Sequence, residues 1–548
     1  MTVHVNIQRD FEILIDVFGP HLSDEDQVTI QVLLNQINDF CHESLAPSNI
    51  IGDQQGVRLN QGRVNIPDPL AMVVKAMQAH GFFALEHPTE FGGLALPKSI
   101  CQLAYELMLS ANSALFLGIS LTHSAVITLI HNANDILNQR YLANMVEGKF
   151  MGSMCLTESH CGTDLSLIKT KAVPNKDHYL ITGQKIWITF GEHELAENII
   201  HLVLAKLPDA PKDQHGISLF LVPKFMPDGQ LNQVSCIGLE EKMGTHASPT
   251  CVMQFDGATG WLIGESHHGL SVMFTMMNDA RRTVANQGVA LAQAAYAKAA
   301  AFVLDRRQSR ALDPNKRDLQ APADPIIMQP EVRRQMLTMK SMVIGLRGLL
   351  YFTNTLSSTD PLQAILTPVV KSFCTERGCQ VIHEAIQVMG GAGYVRDWGV
   401  EQDYRDARIS MIYEGTNGIQ ALDLVMRKLP EHHAIWLQFI ETCQKDLNTD
   451  TPLSTYLAKL HEISIELLND LKQNKELVAA KAPIFLNAVG YVLVGYIWTR
   501  LIDHDDQTVG YAKLANYYMT HELVKSEFYF KQLKNDFSSI TNYNTEWF

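Results

Sequence analysis

The sequence predicts a mostly α-helical protein with a β domain set in its middle, on three observations. Apolar residues recur at helical spacing from about residue 22 to 150, as in DPLAMVVKAMQAHGF from Asp68 and in the apolar stretch from Ser99 to Ile130. Between residues 150 and 264 the texture changes to short runs rich in branched and aromatic residues. From Gly269 the helical period returns and holds to the C-terminus. A chain of 548 residues has room for several such units. The expected division is an N-terminal helical domain (1–150), a middle β domain (151–268), a helical bundle (269–430) and an additional helical domain (431–548).

The elements follow in order. The first helical region is interrupted by HPTEFGG at residues 87–93, which is turn chemistry. The β domain is built from HYLITGQKIWITF, NIIHLVLAKL and GISLFLVPK, separated by Gly, Pro and Asp turns. In the next region Val284, Gly288, Leu291, Ala295, Ala299 and Phe302 share one helical face, and the surrounding alanines permit close helix packing. The proline-rich interval Ala311 to Pro330 reads as a loop between two long helices, and Pro430 as a further break. Residues beyond it read as helices, polar at first and apolar around 484–502.

Composition excludes several functions. A formal net charge of -14 argues against phosphate-backbone binding, so no nucleic-acid partner is expected. The nine cysteines are scattered, and neither Cys155 with Cys161 nor Cys374 with Cys379 has zinc-ligand spacing. No HExxH occurs, and the pairs His267-His268 and His432-His433 read as surface residues, so no metal site is expected. Reduced thiols and an acidic, leaderless N-terminal segment, MTVHVNIQRDFEILIDVFG, fit a cytoplasmic protein. The one membrane candidate is the uncharged run between Lys481 and Arg500. Asn487, Pro483 and two glycines dilute it, so it reads as a buried helix, with membrane-surface docking as the minor alternative.

Residues 406–420, DARISMIYEGTNGIQ, place one carboxylate, Glu414, between an apolar flank and a Gly-Thr pair. Ile412 and Tyr413 can exclude water on one side, and desolvation moves a carboxyl pKa toward the range of a general base. Gly415 lets a flat ligand approach the backbone, and the Thr416 hydroxyl can hydrogen-bond it. Taken alone the segment reads equally well as a surface glutamate at a turn. Thr157, Gly162, Thr163 and Asp164 lie in a loop after an expected strand and could cradle a phosphate or a flavin edge, or simply form a turn. In QKIWITFG, Trp187 and Thr189 fall on one strand face, as an aromatic wall beside a hydroxyl or as a core tryptophan with an incidental threonine. QVMGGAGY at 387–394 lacks the strand and the full glycine pattern of a nicotinamide fold.

TESHCGTD, ITGQKIWITFG, EEKMGTHASPTC, FDGATGWLIGE, MFTMMNDARRTVANQGVALAQAAY, VLDRRQSRAL, QVMGGAGY and RDARISMIYEGTNGIQALDLVMRKL, in this order, resemble the acyl-CoA dehydrogenase family. The likeness is close over residues 70–430. ASPTC, DGATGWLIGE, the MMNDAR run and PADPIIMQPEVRRQMLTMK fit the subgroup with an extra C-terminal helical domain, which includes the 3-methylmercaptopropionyl-CoA dehydrogenases.

The resemblance implies an N-terminal helical domain, a β-barrel-like middle domain, a C-terminal four-helix bundle and a helical extension. It implies FAD as cofactor and an acyl-CoA substrate desaturated between its α and β carbons. Electron-transfer flavoprotein would be the acceptor, in fatty acid β-oxidation or related lipid metabolism. Glu414 would be the catalytic base; where some members carry theirs on the MMNDAR helix, this chain has Ala280, and Arg281 after it would lie near the substrate, its alternative being a helix-surface ion pair. FAD contacts would come from Leu156, Thr157, Gly162, Thr163, Trp187, Thr189 and Thr416. Arg306, Gln308, Gln387, Gly390 and Gly391 match positions that reach the cofactor from a neighbouring subunit, so a homodimer or higher oligomer is implied. Two departures, Ser309 and the SHCG of the TE loop, touch the cofactor rim. The competing readings are a flavin-dependent oxidase on the same fold and a non-catalytic flavin-binding stress or scaffold protein.

Overall fold

The computed structural model describes residues 5–20, 22–447, 451–502 and 510–547, so the opening Met1 to His4 of the segment read as leaderless lies outside the described residues. The chain divides into two compact units, Ile30–Thr283 and Met1–Thr29 together with Val284–Phe548.

In the first unit, helices Ala46–Gln55, Asp68–Ala79, Lys98–Asn132 and Asp135–Val146 precede the sheet. The apolar stretch expected from Ser99 is the helix Lys98–Asn132, which bends at Asn112 (φ -154°, ψ 85°). Asn112 repairs the break itself: its Oδ1 accepts from the Leu115 amide at 3.0 Å and its Nδ2 donates to Ser48 Oγ at 2.9 Å. One element here was not expected, the hairpin Arg58–Asn60 with Arg63–Asn65. Its turn needs two left-handed residues, Gln61 (φ 50°) and Gly62 (φ 79°), and its Val64 packs into the sheet's core. The strand alternation is only three residues long on each side, too short to stand out in a helical context.

The seven-stranded sheet closes on itself. Asn198–Lys206 pairs with Ile217–Pro223, that strand with Thr250–Ile263, then His178–Thr189, then Lys171–Asn175, which returns to Lys206. Phe150–Cys155 and Val234–Leu239 flank this ring. The run NIIHLVLAK is apolar on both faces because both are covered. Ile200, Leu202 and Leu204 pack on helix residues Ala125, Leu129 and Met145, while Val203 and Ala205 point into the barrel with Phe220, Val222 and Phe255.

The second unit is helical. Pro330–Thr355, Pro361–Met389 and the Val284 to Asp305 part of helix Gly269–Asp305 form its centre, joined by Asn417–Asp423, Leu429–Lys445, Pro452–Gln473 and Lys475–Ile502. The crossing of helices Gly269–Asp305 and Pro361–Met389 is made by two glycines: a Cβ on Gly378 would stand 2.4 Å from the Gly288 carbonyl oxygen. The N-terminal helix Val5–Phe18 joins this unit. Its buried Asp10 pairs with the buried Arg347 at 2.6 Å, and Tyr511 donates to the same carboxylate.

Helix Lys475–Ile502 carries the uncharged run, and 61% of its apolar window is buried, as the buried-helix reading required. It is not the one apolar helix of spanning length: Lys98–Asn132 qualifies too, with 78% of its window buried. Pro430 marks a kink rather than an end: helical turns run from Asn417 to Lys445, but His432, two residues past the proline, leaves helical geometry (φ -124°, ψ 28°). The proline sits in the first turn of Leu429–Lys445, where no amide is needed, after a π-turn at Leu424–Lys428. The interval 311–330 is a loop, with Asp324 accepting from the Ala311 and Asp318 amides, each at 2.7 Å.

Candidate active site

Glu414 stands in a left-handed conformation (φ 55°) and Gly415 continues it (φ 84°). A non-glycine residue there costs on the order of 1–3 kcal/mol and persists only when its surroundings impose it. Three buried side chains do so. Gln420 Nε2 donates to the carbonyls of Glu414 and Gly415 at 2.9 and 3.2 Å. Lys371 Nζ, from helix Pro361–Met389, donates to the Gly415 carbonyl at 2.8 Å and to Asn417 Oδ1 at 3.3 Å. Gln287 accepts from the Tyr413 hydroxyl at 2.6 Å. Burial, reinforced by the Glu414 charge, pushes the Tyr413 phenol far above its ordinary pKa, so it stays a donor. The expected dry flank is only half present in this chain: Tyr413 is partly buried, but Ile412 is 46% exposed, because the turn that buries one neighbour points the other outward. Thr416 Oγ1 caps helix Asn417–Asp423 by accepting from the Ile419 amide at 3.3 Å, which leaves its hydroxyl proton to donate outward.

The loop after strand Phe150–Cys155 is fixed by a buried ion pair. Lys185 Nζ donates to Glu158 Oε1 and to the Leu156 carbonyl, both at 2.9 Å. Glu158 also accepts from the Lys169 and Thr170 amides and the Thr170 hydroxyl. Burial pushes the Glu158 carboxyl up, but Lys185 and these hydrogen bonds outweigh it and hold it below its ordinary range. The Ile186 amide donates to the Thr157 carbonyl at 2.9 Å, which brings the loop against the strand that carries Trp187 and Thr189.

Leu156 is buried, Thr157 and Thr189 are half-buried, and Gly162 and Thr163 are exposed. Trp187 is no core residue. It is 60% exposed with φ 60°, at a bulge where the register slips between Lys185 and Ile188. An outward indole beside hydroxyls and an open glycine loop suits a flat aromatic cofactor with polar edges, so this half of the FAD contact set fits the group.

The second half lies on the helical unit. Arg306 and Gln308 are exposed at the end of helix Gly269–Asp305; the exposed ion pair is made by their neighbour Arg307, to Asp318 at 2.9 Å. Gln387, Gly390 and Gly391 are exposed at the end of helix Pro361–Met389, and a Cβ on either glycine would meet nothing within 4 Å. Arg281 is not on a helix surface. It is buried, donates to Asn278 Oδ1 at 3.2 Å and lies over the Phe274 ring.

Sequence reasoning missed the residues that hold these loops: Lys371, Gln420, Glu158 and Lys185. Glu158, Lys185 and Gln420 lie within motifs already singled out; Lys371, a buried lysine in mid-helix, carries no local signal. Two clusters, Glu86 with His123 and Asp279, and Glu158 with His160 and Cys161, gather ligand-type atoms within 4.8 Å of one another. Cations of the chain already pair with them, Lys98 and Arg282 on Asp279 and Lys185 on Glu158.

Residues 29–149, 153–258 and 267–429 match the family models described as Acyl-CoA dehydrogenase N-terminal, middle and C-terminal domain. The chain is 43% identical to the 3-methylmercaptopropionyl-CoA dehydrogenase of Ruegeria pomeroyi over 414 residues, 72% of this chain and 70% of the relative. A chain from the structure of an electron transferring flavoprotein of Acidaminococcus fermentans is 26% identical, with TM-score 0.64 over 74% of this chain and 98% of that one. ACDH-11 of Caenorhabditis elegans, 18% identical, shares the fold with TM-score 0.80 over 98% of this chain and 94% of its own, the C-terminal helices included. Members of the matched family are flavoproteins that use FAD. The chain belongs to the acyl-CoA dehydrogenase family and is an oxidoreductase.

Proposed function

We propose that this protein is an FAD-dependent acyl-CoA dehydrogenase that converts an acyl-CoA thioester to the trans-2-enoyl-CoA. The observation that carries the reading is Glu414, a carboxylate held on a left-handed turn whose carbonyls are tied down by Lys371 and Gln420. A thioester α proton is too weakly acidic for a carboxylate in water, so the base must be rigidly aimed and the developing enolate oxygen must meet fixed donors in a dry site. Glu414 takes the α proton. Thr157, Thr163, Thr189 and the indole of Trp187 would hold and orient the flavin, and bound FAD accepts the hydride that leaves the β carbon.

Arg306, Gln308, Gln387, Gly390 and Gly391 would contact the FAD of a neighbouring subunit, making the working form at least a homodimer. Exposed Leu304, Tyr394 and Trp398, near them in sequence, support a surface covered by a second copy. The acceptor in this reading is electron-transfer flavoprotein, and nine buried cysteines held as thiols support a reducing, cytoplasmic setting.

The test is anaerobic flavin reduction. Purified protein should carry about one FAD per subunit, and a saturated acyl-CoA should bleach its visible band. Glu414→Gln should keep the flavin and reduce it on the order of a hundredfold to ten-thousandfold more slowly. Wild-type bleaching by that variant would discard Glu414 as the base, and turnover with dioxygen faster than with a dye acceptor would make the protein an oxidase.

A further inference from the structure

We infer that Lys371 is a positioning residue for the base, acting through the backbone of the turn that carries Glu414. The inference rests on the reading of Glu414 given above. Lys371 lies in the interior of helix Pro361–Met389, and its side chain is fully buried. Taking an ammonium out of water is unfavourable, so an apolar side chain would fill that space at lower cost. Its contacts show what the charge achieves. It reaches from the helix to the Gly415 carbonyl at 2.8 Å and to Asn417 Oδ1 at 3.3 Å, and Asn417 Nδ2 returns to the Ser372 carbonyl on the same helix at 3.2 Å.

Gln420, also fully buried, grips the same turn from the other side through the carbonyls of Glu414 and Gly415. Fixing two successive carbonyl oxygens fixes the peptide planes on either side of Gly415. With Tyr413 anchored on the preceding side by Gln287, the fixed 414–415 plane holds Glu414 at positive φ, a conformation it would leave if released. Relaxation to negative φ would swing the carboxylate away from its aim while leaving the helices intact. The ammonium therefore acts at one remove: it touches the turn, and the turn aims the base.

The experiment compares wild type, Lys371→Met, Gln420→Met and Glu414→Gln as flavin-loaded full-length proteins. It measures the limiting rate of anaerobic flavin reduction, the affinity for a trans-2-enoyl-CoA from the flavin spectral shift, and thermal stability. Lys371→Met keeps length and volume and removes the donor. A misaim of about 1 Å costs on the order of a hundredfold, so both methionine variants should lose about that much in limiting rate while enoyl-CoA affinity stays within about threefold. Their amides at 412–417 should also exchange hydrogen faster than in wild type. The inference is overturned if Lys371→Met and Gln420→Met reduce flavin at the wild-type rate, or if their rate falls only in step with loss of folded, flavin-loaded protein. The underlying reading fails separately, if Glu414→Gln reduces flavin as fast as wild type.

Discussion

At the scale of single residues, the chain places charge inside the protein where a loop must be held. Lys185 is fully buried and Glu158 nearly so, and their pair anchors the segment that presents Thr157, Gly162 and Thr163. Removing one partner of a buried pair leaves the other charge without compensation, at about 3–5 kcal/mol. Lys185→Met should therefore lower unfolding stability by that order, read from urea denaturation, and should release flavin on gel filtration. Adding Glu158→Gln should recover part of the stability but not the flavin, because the Leu156 carbonyl still lacks its donor. A Lys185→Met protein as stable as wild type would show the pair to be ornamental to the fold.

Elements meet closely where glycine allows it, and the crossing of helices Gly269–Asp305 and Pro361–Met389 is the sharpest case. A methyl on Gly378 would fall 2.4 Å from the Gly288 oxygen, and one on Gly288 would fall 2.8 Å from the Cys374 oxygen. Both obstacles are backbone, so the helices must part. Gly378→Ala should destabilise the protein by about 1–3 kcal/mol through overpacking, although alanine is otherwise favoured over glycine in a helix by about 1 kcal/mol; an increase in melting temperature would contradict the crossing.

The barrel makes a prediction in pH. Burial holds His193 and His201 down to about 3 in the folded state, with the Lys224 charge adding to it. Unfolded, each titrates near about 6.5. Between those values the unfolded chain binds more protons, so stability is full above about pH 6.5 and falls as pH drops toward 3. His201→Gln removes one such group while its amide can still reach Ser153, the partner of His201 Nδ1 at 2.7 Å. The acid limb of its urea midpoint against pH should lose about one proton of slope, roughly 1.4 kcal/mol per pH unit. An unchanged slope would mean that His201 is not the titrating group.

For the whole molecule, the question is whether one chain suffices for the cofactor. If Arg306 reaches the flavin of a second subunit, a charge-assisted contact of roughly 1.5–3 kcal/mol is at stake, and Arg306→Ala should weaken FAD retention about tenfold or more. Subunit dissociation should then release FAD, and added FAD should favour assembly. Size-exclusion chromatography with absorbance at a flavin wavelength reads both at once. A fully flavin-loaded monomer, or unaltered retention in Arg306→Ala, would place the whole site within one chain.

The sequence by itself determined the order of helix, sheet and helix, because periods of 3.6 and 2 follow from local geometry and leave their mark residue by residue. It singled out Glu414, Trp187 and the glycine loops as candidates as well, since their motifs are contiguous. Only the tertiary structure decided which residues hold them. Lys371 lies 43 positions before Glu414, and Lys185 lies 27 after Glu158; both are buried cations whose partners come from other elements, and no local pattern distinguishes such a lysine from one on the surface. The hairpin at Arg58–Asn65 and the docking of helix Val5–Phe18 through Asp10 and Arg347 were settled in the same way. In each, the energy that fixes the conformation comes from residues far away in the chain, and it appears only once packing has brought them together.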